Sequence, residues 1–168
     1  MKMNPPIIYS GTATQSGTMK DGHRYCAVQR IRMEICAADE GGEVHCTITR
    51  TEAQKGVDGH CRPSSALPAY LNAYLSSYGA CSERARGVWR GDLLCLRTEG
   101  LPVATRRSAV QWSAHSYFLV AGDDGRADGV AINRLMASWQ LADRVDDVGR
   151  VRMRRVVTGP CGVERCAD

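Results

Sequence analysis

Two neighbouring stretches of strict alternation constrain the fold of this chain more than any other feature. From Tyr25 to Cys36, Ile31, Met33 and Ile35 share one phase while Arg30, Arg32 and Glu34 occupy the other. From Glu43 to Arg50, Val44, Cys46 and Ile48 oppose His45, Thr47 and Thr49. A period of two sends successive side chains to opposite faces of a strand, so each stretch reads as a half-buried strand. Asp39-Glu40-Gly41-Gly42 supplies turn chemistry between them, which predicts an antiparallel hairpin. Ile7 to Ala13 reads as a third strand beside it. Val88 to Leu96 and Trp112 to Val120 are apolar and bounded by Gly, Pro and Asp, as interior strands are. Arg150 to Val157 alternates again and puts Arg150, Arg152 and Arg154 on one face.

Helical periodicity enters twice. Ser65 can cap a helix in which Leu67, Tyr70, Leu71, Tyr74, Leu75 and Tyr78 recur at helical spacing, with Pro68 in the first turn and Gly79 at the end. Its tyrosine stripe reads first as a core-facing side and second as a docking surface. Ile132, Leu135, Met136 and Trp139 fall at i, i+3, i+4 and i+7 after a cap at Asp128, which predicts a second helix ending near Val145. No repeat, low-complexity tract or linker divides residues 1–168, so one domain is expected. The fold class that follows is α+β, a mainly antiparallel sheet of about five to six strands with two helices packed on one side.

Composition is that of a folded globular domain, with 43% hydrophobic and 24% charged residues. The formal net charge is +4, and Lys2, Lys20 and Lys55 are the only lysines, so the basic side is almost wholly arginine. The sequence shows no export signal and no run of membrane-spanning length, and a cytoplasmic location without membrane association is the expectation. Eight cysteines are then expected to be mostly reduced and to act as small buried hydrophobes. They form no CxxC pair; His23 and Cys26, His45-Cys46 and His60-Cys61 lack conventional ligand spacing, and neither a metal nor another cofactor is expected.

Two kinds of chemistry remain. The first is binding. Arg30 and Arg32 share a face of one strand, Arg150, Arg152 and Arg154 share a face of another, and Arg84, Arg86, Arg90, Arg106 and Arg107 lie in or near loops. Forked guanidinium donors match the oxygens of phosphates and carboxylates, so an acidic partner is implied, either nucleic acid or an anionic protein surface. Tyr25, Trp89 and Trp112 offer stacking surfaces. Interspersed acids such as Glu34, Asp39, Glu40, Glu43, Glu83, Asp92 and Glu99 also allow a simply solvated face.

The second is thiol catalysis. Gly59-His60-Cys61 ahead of the expected first helix, Arg90-Gly91-Asp92-Leu93-Leu94, and Ala114-His115 entering a strand that ends Gly122-Asp123-Asp124-Gly125 occur in the order of a thiol hydrolase. Over Gly59 to Gly125 this order faintly resembles the NlpC/P60 and CHAP amidase families, which cleave amide bonds in bacterial cell walls. The resemblance implies Cys61 as nucleophile and His115 as general base, with Asp123, Asp124 or His45 orienting the imidazole. Of the two, the sequence favours binding: a small cytoplasmic accessory protein of a bacterium, phage or mobile element, acting as an inhibitor, adaptor or nucleic-acid-associated factor. Oligomeric state is not legible in the sequence.

Overall fold

The computed structural model describes residues 5–18, 22, 24–37, 42–57, 60–62, 81–99, 101–103, 111–137, 140–158 and 164–166. They form the strands β1 (Ile7–Thr18), β2 (Arg24–Ala37), β3 (Glu43–Val57), β4 (His60–Arg62), β5 (Cys81–Arg90), β6 (Leu93–Thr98), β7 (Leu101–Val103), β8 (Gln111–Ala121), β9 (Arg126–Ala137), β10 (Gln140–Thr158) and β11 (Glu164–Cys166). Eight of them pair in the order β1-β2-β3-β5-β6-β8-β9-β10, and β10 pairs back onto β1, closing an all-antiparallel barrel. The short strands β4, β7 and β11 extend β3, β8 and β10.

This architecture replaces the expected α+β fold, since no helix occurs among the described residues. The second helix, expected from Asp128 to near Val145, is instead the end-to-end pair β9 and β10. The reason lies in which residues β9 turns inward. Ala127, Gly129 and Ala131 face the barrel with little apolar bulk, and Ile132, the first residue of the expected helical stripe, falls on the outer phase. The single strand expected over Val88–Leu96 is a hairpin, β5 and β6, turning at Gly91-Asp92 with Gly91 at φ +63°. That left-handed conformation suits glycine and a two-residue hairpin connection. The first helix, expected over 65–79, lies outside the described residues.

The β2–β3 hairpin forms as read, in register Arg32↔Thr49 and Met33↔Ile48. Its inward phase supplies Ile31, Met33, Ile35, Val44, Cys46 and Ile48 to a core completed by Leu94, Leu96, Tyr117, Leu119, Val151 and Met153. An eight-stranded barrel encloses a space that side chains can fill, and each large aliphatic side chain buried here contributes roughly 1.5–3 kcal/mol. Closing so narrow a ring demands sharp bends at inward glycines. A Cβ at Gly129 would lie 1.9 Å from the Phe118 carbonyl oxygen, and one at Gly11 would lie 2.0 Å from that of Arg152. Only glycine admits so close a backbone approach, the role expected of strand glycines at barrel corners.

The outward phase is charged or hydroxylic along most strands, the inverse of the apolar-out pattern of a barrel set in lipid. No helix among the described residues is long and apolar enough to cross a membrane. One barrel end carries the turns at Gly42, Gly91-Asp92 and 122–125. From the other end depart the long connections 63–80 and 104–110.

Candidate functional site

On β10, Val151 and Met153 are buried in the barrel, which forces Arg150, Arg152 and Arg154 outward. On β2, burial of Ile31 and Met33 turns Arg30 and Arg32 outward in the same way, with Arg30 exposed and Arg32 half-buried. The sequence leaves these rows unrelated; barrel closure relates them. Strand β1 lies between them and presents Ser10, Thr12, Thr14 and Ser16 on the outer phase. Thr12 is paired with Arg30 on one side and Arg152 on the other, and Ser10 with Arg32 and Arg154.

With neighbouring strands about 4.8 Å apart, the two arginine rows stand roughly 10 Å apart across a floor of short hydroxyl side chains. The relief is a shallow trough. Two adjoining surface depressions of about 550 and 540 Å³ lie along its β10 side, one lined by Thr12, Thr14, Ser16, Val130, Arg150 and Arg152, the other by Ser10, Gly11, Arg126, Asp128, Arg152 and Arg154. Among the described residues, Arg30, Arg150 and Arg152 have no ion-pair partner. Arg32 Nε donates to Glu34 Oε1 at 3.1 Å on the surface, a contact worth under about 1 kcal/mol that an incoming anion can replace. Asp128, opposite Arg152 on β9, is the acid nearest in register.

One border of the trough is apolar. Val130 is in register with both Arg150 and Phe118, and Val148 with Ile132. Phe118 is 40% exposed and Val148 58%. Phe118 is the chain's single phenylalanine, a residue type usually buried.

Inside the barrel, toward the end from which the long connections leave, sits a polar cluster that sequence reasoning missed. Arg50, Glu83 and His115 are all buried. Arg50 donates through Nη2 to Glu83 Oε1 and through Nη1 to His115 Nε2, the latter at 2.7 Å. The His115 amide donates to Thr98 Oγ1 at 2.8 Å. Burial above all, and the guanidinium beside it, hold His115 well below its ordinary pKa of 6.5. The imidazole is therefore neutral near pH 7, and accepting at Nε2 places its proton on Nδ1, 3.5 Å from Glu83 Oε1. The signal was present in the sequence: Arg50 continues the apolar phase of Val44, Cys46 and Ile48, as His115 does that of Tyr117 and Leu119.

The other candidates are placed as follows. Cys61 lies in β4, paired with Gly56, and the helix expected to follow it falls outside the described residues. His115 faces the barrel interior with its Nε2 engaged by Arg50. Asp123 is exposed in the turn at the opposite end of β8, and His45 is on the outer phase of β3, so neither orients this imidazole. Arg84 and Arg86 are exposed on β5, away from the trough, and Arg86 Nε lies 3.4 Å from Glu99 Oε1. Arg106 and Arg107 fall outside the described residues. Trp89 is half-buried and packed against the core on β5, away from the trough. Among the described residues no cluster of His, Cys, Asp and Glu is arranged to hold a metal ion. Comparison with protein-family models, curated proteins and solved structures finds no match.

Proposed function

We propose that this is a small non-enzymatic binding protein that engages an acidic macromolecule through the trough along β1. The observation that carries the reading is the register Arg30–Thr12–Arg152 and Arg32–Ser10–Arg154, which converts two sequence-distant arginine rows into one face. Five guanidinium groups over hydroxyl donors supply fork-shaped and single hydrogen bonds to anionic oxygens. Asp128 and Glu34 leave the face strongly positive. A role as an inhibitor, adaptor or nucleic-acid-associated factor uses such a face without a catalytic centre. A cytoplasmic setting accords with the free thiols of Cys26, Cys36, Cys46 and Cys95.

Retention on immobilised heparin, a generic polyanion, tests the reading. The wild-type protein is expected to elute at raised salt, because anion binding to such a face is screened by ions. Arg150→Glu/Arg152→Glu is expected to elute in the wash, while Arg84→Glu/Arg86→Glu on the other side of the barrel elutes near wild type. Equal loss in both variants would show that total charge, and not this trough, governs retention.

A further inference from the structure

We infer that the acidic partner is a single-stranded nucleic acid, with phosphates lying over β1 between the arginine rows and bases laid across β9 and β8 onto Phe118. This inference rests on the proposed binding role and adds the class of ligand. Three observations lead to it.

The first is periodicity. Arg150, Arg152 and Arg154 recur at every second residue, roughly 6.8 Å apart along the strand, a regular ladder suited to a regularly charged backbone. Serine and threonine hydroxyls beneath are ordinary donors to phosphate oxygens.

The second is asymmetry. Beyond Arg30 and Arg32, the positions in register on β3 are the exposed polar residues Thr51 and Thr49. Beyond Arg150, the corresponding positions are Val130 and then Phe118. Two strand spacings separate Arg150 from Phe118, roughly 10 Å, which is the reach from a backbone phosphate across the base attached to it. The ligand that fits is charged along one edge and flat and apolar along the other.

The third is Phe118 itself, the chain's only phenylalanine, held 40% exposed on the outer phase of β8. An aromatic face beside a cationic track is the combination by which single strands are held with little regard to sequence. A duplex hides its base faces and would engage only the arginines. An acidic protein surface would do the same with carboxylates, without a flat ring repeating beside each charge as a base does beside each phosphate.

The test is fluorescence anisotropy of a labelled oligo-dT strand, the matching duplex and poly-glutamate, with wild type, Phe118→Ala and Arg150→Glu/Arg152→Glu. Circular dichroism confirms that each variant is folded. The inference requires wild type to bind the single strand, and Phe118→Ala to weaken that binding about 5- to 100-fold while leaving duplex binding and heparin retention unchanged. If Phe118→Ala leaves single-strand affinity intact while the arginine variant abolishes it, stacking is refuted and the polyanion role stands. If poly-glutamate displaces the strand at equal charge concentration in wild type and Phe118→Ala alike, the partner is an anionic protein. If the arginine variant still binds all three ligands, both this inference and the binding role fall.

Discussion

Replacing Arg50 by methionine isolates the energetics of the polar cluster inside the barrel. The Arg50 and Glu83 side chains are each only 3% exposed. Removing the guanidinium takes the Arg50 ion pair from the buried Glu83 carboxylate and the donor from His115 Nε2. Breaking a buried ion pair from one side costs about 3–5 kcal/mol, because one uncompensated charge remains. For a domain of this size each kcal/mol lowers Tm by about 2–4 °C, so a fall of about 6–20 °C is expected. Replacing both charges behaves differently, since two apolar groups of similar volume avoid the desolvation penalty altogether. Arg50→Met/Glu83→Met is therefore expected to recover at least half of the loss. Urea denaturation followed by circular dichroism, with both single variants and the double, gives the coupling free energy directly. A loss below about 1 kcal/mol in Arg50→Met, or strict additivity in the double, would refute the description of this pair as a coupled, desolvated unit.

Two further outcomes follow from the same interior. His115 is held below its ordinary value of 6.5, so below that pH the unfolded chain binds a proton that the barrel refuses; stability is full above about pH 6.5 and falls with acidification by up to about 1.4 kcal/mol per pH unit, a slope that His115→Gln should abolish in pH-resolved urea melts. Burial raises the Cys46 thiol to about 12 whereas Cys36 is exposed, so iodoacetamide at pH 8 read by mass spectrometry should modify Cys36 and spare Cys46 until urea unfolds the barrel.

The alternating strands were legible because their two faces differ sharply in polarity. Tyr25–Cys36 and Glu43–Arg50 lie within β2 and β3, and Trp112–Val120 within β8, each extending only a few residues further in most directions. Where one face carries only small residues, the signal inverts. The inward set Ala127, Gly129 and Ala131 has too little bulk to mark itself as the core phase, so the spacing of Ile132, Leu135, Met136 and Trp139 dominated the reading and suggested a helix. Closure itself left no local trace, being a pairing between β1 and β10 near opposite ends of the chain. The candidate face was half legible for the same reason: each arginine row followed from strand periodicity, but their common floor on β1 did not. The interior cluster could have been found from charges on apolar phases, as at Arg50. The pairing of Cys61 with His115 depended on a helix start near Ser65, outside the described residues, while Cys61 itself lies in the short strand β4.

The seam of the barrel has a consequence for when the protein can work. Ile8 to Gln15 of β1 pair with Val156 to Gly149 of β10, and the two arginine rows stand on either side of that join. During vectorial synthesis the earlier strands can pair by successive neighbouring hairpins, whereas the join waits for β10 to leave the ribosome. A chain interrupted before β10 holds Arg30 and Arg32 but no opposing row. On the proposed binding role, a truncated product would lack half of the recognition face until the ring is complete. A permuted chain opened at Gly91-Asp92, with its original ends tethered, would turn the join into a neighbouring hairpin made midway through synthesis and leave β5–β6 as the last pairing to close.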